Sequence, residues 1–78
     1  MSDLMRADSW MHMVLSNNTP LDVCEKRFLE FSTEANQFIR KEIKNRIIPE
    51  SEKRGDKESA EAYNKILAVL EKVIAEKK

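Results

Sequence analysis

Apolar positions recur in steps of three and four along three blocks of the chain, which is the signature of amphipathic helices. In the first block Leu4, Ala7, Met11 and Val14 set the stripe, and Trp10, Met13 and Leu15 widen it, which predicts a short helix over about 4–16. Asp8 or Ser9 would cap a shorter version. The run Ser16 to Pro20, SNNTP, punctuates the pattern: Thr19 suits an N-cap, and Pro20 suits the first helical position, where its missing N–H is harmless. From there the seam runs Leu21, Cys24, Phe28, Phe31, Ala35 and Phe38, a coiled-coil-like spacing, until Glu42 interrupts it. Ile39, Ile43 and Ile47 carry the stripe onward along an adjacent line, as a nearly straight helix drifts against a seven-residue repeat. One long helix over 20–47 is therefore predicted. Pro49 disfavours helical geometry at Ile48 and removes one backbone donor, which leaves two endings open: a stop near Ile47, or a kinked extension to 54.

The next stretch, EKRGDKES, contains the tripeptide Arg54-Gly55-Asp56. Glycine after two cations reads as a left-handed C-terminal cap, and Asp56 reads as the N-cap of a third helix over 57–76, so the motif is expected to be a turn rather than an adhesion signal. That third helix shows Ala60, Tyr63, Leu67, Leu70 and Ile74 on one line, with Ala62, Ile66, Val69 and Val73 on a neighbouring one. If Gly55 is the point of reversal, Tyr63 meets Ile47 and Ile48, Ile66 and Leu67 meet Ile43, and Leu70 meets Ile39. The N-terminal helix should fold back over the uncovered half of the long one and bring Trp10 near Phe28. The expected fold is all-α, a single small domain over 1–78 made of a short N-terminal helix plus a long helical hairpin in a three-helix arrangement.

Composition agrees with helices: 36% of the 78 residues are charged, 41% are hydrophobic, and only one is glycine. A chain this short buries a modest core. Fully burying one large apolar side chain is worth about 1.5–3 kcal/mol, against roughly 1–2 kcal/mol of backbone entropy per ordered residue. Three thin helices barely balance, while the broad stripes offer more apolar surface than one hairpin hides. A homodimer packed through the hairpin is expected. Lys plus Arg and Asp plus Glu are 14 each, so no field of one sign draws the whole chain to nucleic acid or to an anionic membrane. One cysteine cannot form an internal disulfide, and the N-terminal segment is too broken by charge to be a secretory signal or a span, so the expected setting is cytoplasmic.

Catalytic chemistry has little material. His12 is the only histidine, and Cys24 lies on the apolar seam, where cysteine behaves as a small hydrophobe. The pair falls short of a zinc ligand set, and the single glycine leaves no phosphate-cradling loop. No metal, cofactor or enzymatic role is expected. Two surfaces could recognise partners. Met5, Trp10, Met11 and Met13 crowd the N-terminal block, where adaptable methionines and an anchoring tryptophan would suit a protein partner, although the same residues also serve as core. Arg40, Lys41, Lys44 and Arg46 form a basic run that could grip nucleic-acid phosphates, although cations also suit the C-terminal end of a helix that begins with Asp22, Glu25, Glu30 and Glu34. The sequon at Asn17 is better explained as part of a helix start. The expected function is a small non-enzymatic helical interaction or regulatory protein that binds, and inhibits or adapts, a protein partner. The alternative is a dimeric helical nucleic-acid binder.

Overall fold

The computed structural model describes residues 3–77. Its elements are α1 (Asp3–Met13), α2 (Leu21–Glu30), α3 (Thr33–Glu42), a π-helical turn (Ile43–Ile47), α4 (Ile48–Lys53) and α5 (Lys57–Glu76). Because α3, the π turn and α4 follow one another without interruption, the described residues form four helical rods and no strand. The all-α class stands, but the three-helix layout does not. The expected 20–47 helix is broken at Phe31 and Ser32, whose backbones are extended, with ψ of 155° and 161°. A continuous helix over 20–54 would measure about 50 Å at 1.5 Å per residue. The longest dimension of the molecule is 34 Å.

The break has a local cause and distant supports. Ser32 Oγ accepts the Ala35 N–H at 3.2 Å and so caps α3 in competition with helix continuation. Ending α2 there orphans its last carbonyls, and groups remote in sequence take them up. Asn36 Nδ2 donates to the Phe28 carbonyl at 2.8 Å. Lys77 Nζ donates to the carbonyls of Leu29 and Phe31. On the other side of the break, the Ser32 N–H donates to Asp3 Oδ2 at 2.9 Å. Both ends of the described chain therefore meet at this bend.

These contacts fix the direction of each rod. Asp3 sits at the start of α3, and Met11 and His12 sit beside Arg46 and Ile47, so α1 runs parallel to α3 and α4. Leu21 lies beside Ala62 and Ile66, and Leu29 lies by Lys77, so α2 runs parallel to α5. Arg40 meets Glu71 at 3.6 Å, so α5 returns antiparallel to α3 and α4. The bundle is up-down-up-down. Its core takes Trp10 and Met11 from α1, Phe28 from α2, the line of Ile39, Ile43 and Ile48, and Ile66, Leu70 and Val73 from α5.

Each turn follows from its residues. At the α4–α5 reversal Gly55 has φ of 76°, the Asp56 N–H bonds the Ser51 carbonyl at 2.9 Å, and the Gly55 N–H bonds the Glu52 carbonyl at 3.0 Å, a Schellman arrangement. Asp56 then caps α5, accepting from the Ser59 N–H at 3.1 Å and the Ser59 hydroxyl at 2.7 Å. The expected turn is therefore present. At the α1–α2 turn the expected cap shifts by one residue: Pro20, not Thr19, is the N-cap of α2, and no side chain caps it. Thr19 Oγ1 instead accepts the Ser16 N–H at 2.8 Å and closes the loop. The first helix likewise ends at Met13 rather than near 16.

Of the two endings left open at Pro49, the chain takes the extension. The π turn carries the helix through, with the Ile48 N–H bonding the Ile43 carbonyl five residues back. It inserts one residue into the ladder just before the proline, which sits in the first turn of α4. The inward line consequently steps from Ile43 to Ile48, while Ile47 is only partly buried.

Candidate functional site

The N-terminal set divides between interior and surface. Trp10 and Met11 are buried, and the indole packs edge-on against Phe28 at 5.6 Å and Phe31 at 6.2 Å between ring centroids. The two ring contacts of Trp10 join α1 to the bend between α2 and α3. Met13 is 84% exposed and Met5 62%, so they present methionine side chains on the outside of the same helix. Val14, a stripe position in the sequence, lies just past the helix end and is also exposed. Leu21, Val23 and Leu29 add exposed apolar positions along α2.

The basic set is divided by ion pairs. Arg40 Nε lies 3.6 Å from Glu71, and Arg46 bonds Glu42 through Nε at 3.3 Å and Nη2 at 3.2 Å. Carboxylates thus offset two of the four cations, and these pairs are half-exposed, so each is a modest contribution. Lys41 and Lys44 are exposed and make no ion pair among the described residues. Arg40 turns toward the C-terminal half of α5, and Arg46 turns toward the end of α1.

One cleft draws on both sets. A space of about 230 Å³ between the end of α1, the π turn with α4, and the start of α5 is lined by Met11, His12, Arg46, Glu50, Arg54 and Tyr63, among others. Burial raises the Tyr63 phenol above its usual range, while the nearby Arg54 pulls the other way. His12 Nε2 is 3.2 Å from Asp8 Oδ1, one turn back on the same helix. Arg54 and Glu50 face this space without an ion-pair partner among the described residues. Sequence periodicity gave no sign of the cleft, because its lining comes from three rods. Asn36 was also missed, although it continues the line through Ile39 and Ile43. It is fully buried, and its Oδ1 has no hydrogen-bond partner among the described residues.

Cys24 is fully buried in α2, and burial first, then the Asp22 carboxylate, pushes its thiol up to about 11. A thiol in that state is a packing element rather than a nucleophile. Asn17, the sequon asparagine, donates from Nδ2 to Ser59 Oγ at 2.9 Å and ties the α1–α2 turn to the α4–α5 turn. No group of three His, Cys, Asp or Glu side chains is placed to hold a metal among the described residues, and no helix is long and apolar enough to cross a membrane.

Fold and surfaces together define a small all-helical bundle with its aromatic anchor inside and methionines outside. Comparison with protein-family models, with curated proteins and with solved structures finds no match to this chain.

Proposed function

We propose that this chain is a small non-enzymatic interaction protein that regulates or adapts a protein partner through the outer side of α1 and its C-terminal end. The exposure of Met13 and Val14 together, at the end of a rod that Trp10 anchors from one turn back, carries the reading. Methionine fits its shape to a partner at little cost, and a rigid rod presents it without prior ordering. Leu21 and Val23, exposed in the first turn of α2, add apolar surface toward the same end of the bundle.

The test is substitution on the outside only. Met13→Asp should abolish co-purification of the partner from the native host and leave stability within about 0.5 kcal/mol of the parent, because the side chain is solvated. Retained binding in a Met13→Asp, Val14→Asp double variant refutes the assignment. Trp10 is unsuitable for this purpose, since replacing it would disrupt the bundle as well.

A further inference from the structure

The bend at Phe31 and Ser32 is unusual in how little separates it from a straight helix. Their φ angles, −80° and −67°, already lie at or near the helical range, and only the two ψ angles are extended. Neither residue is glycine or proline. The Phe31 N–H already bonds the Arg27 carbonyl, and the Asn36 N–H bonds the Ser32 carbonyl, as both would in an uninterrupted helix.

The hydrogen bonds balance as well. In the bent chain the carbonyls of Phe28, Leu29 and Phe31 are served by Asn36 and Lys77, the Ser32 N–H by Asp3, and the Ala35 N–H by Ser32 Oγ. In a straight helix those three carbonyls would take the N–H groups of Ser32, Thr33 and Ala35. Three backbone bonds thus satisfy all five backbone groups that side chains serve at the bend, while the buried Asn36 amide gives up the Phe28 carbonyl. The apolar seam from Leu21 to Phe38 also runs through the bend without losing its spacing.

Straightening would swing α2 off α5 and carry α1 with it. A lone opened chain would expose Cys24, Phe28 and the α5 positions that α2 shields. A second opened copy restores every one of those contacts in reciprocal form. We propose that Phe31 and Ser32 are a hinge, and that the chain has a second state: a dimer in which α1 and α2 of each copy pack on α3, α4 and α5 of the other. The partner that fits the α5 surface under α2 is therefore a second copy of this chain. This is independent of the surface assigned to a different protein above, because only this chain enters the measurement.

Two substitutions push the hinge in opposite directions. Thr33→Pro suits the bent state: position 33 is the first residue of α3, its N–H has no partner among the described residues, and extended Ser32 is the conformation favoured before proline. In a straight helix the same proline would lose the bond to Leu29 and clash with it. Ser32→Ala removes the cap that only the bent state uses. Sedimentation equilibrium after refolding at millimolar concentration should show dimer in the parent chain. The association constant should be about tenfold or more higher in Ser32→Ala, which loses one cap at each of two hinges, and dimer should be absent in Thr33→Pro. A parent chain and a Ser32→Ala variant that both stay monomeric overturn the proposal. So does a dimer that Thr33→Pro leaves undiminished, which would be an ordinary surface association.

Discussion

Asp56 shows how much one side chain can do in this chain. Its carboxylate accepts the Ser59 hydroxyl and N–H, and these bonds, the hydroxyl first, hold its pKa below the usual carboxylate range. A depressed folded-state pKa means that the stabilisation is complete above the unfolded value and is lost as pH falls through the folded one. Asp56→Ala should therefore be less stable than the parent at neutral pH and should lose less stability as pH falls from about 5 toward 2, as followed by urea denaturation at each pH. Both roles at this turn were legible in sequence, since Gly and Asp are favoured there for stated steric and hydrogen-bonding reasons. The N-terminal set was less legible because it was chosen by residue type. Sorting by face separates Ala7, Trp10 and Met11, which point inward, from Met5 and Met13, which do not.

Helices α3, α4 and α5 form the part of the architecture that the apolar pattern conveyed best. The expected pairing about Gly55 agrees with Arg40 beside Glu71 and with Ile47 and Tyr63 lining one cleft. That reversal depends on positive φ at Gly55, where an added Cβ would meet no atom within 4 Å. Gly55→Ala is accordingly a pure backbone test: the cost should be about 1–2 kcal/mol in unfolding free energy, with no change in the packing signals of a near-ultraviolet or methyl spectrum. The break before α3 was hidden for the opposite reason. Ser32 is a good cap, but no glycine or proline marks the bend, and the side chains that support it lie far away at Asp3 and Lys77. A pattern of period 3.6 cannot register a two-residue interruption that keeps its phase.

At the scale of the molecule, folding α2 back onto α5 changes the argument about exposed apolar surface. The radius of gyration is 11.8 Å, close to the roughly 11.5 Å expected of a compact single chain of this length. Much of the surface that a simple hairpin would leave bare is covered by α2 of the chain itself, and the hinge proposed above offers a route to a dimer that does not depend on a surplus of it. Trp10 ties this closure together through Phe28 and Phe31, on either side of α2's end. Trp10→Ala should cost about 3–5 kcal/mol, a large part of the roughly 4–12 kcal/mol available to a domain of this size, and thermal unfolding should then begin near ambient temperature. The π turn bears on length as well as on packing. Ile43 and Ile48 both reach the core although five residues separate them, one more than an ordinary helical turn requires. A homologue shorter by one residue at this place would keep both isoleucines inward on a regular α-helix, so a single-residue gap here in an alignment marks the loss of a bulge and not a slip in register.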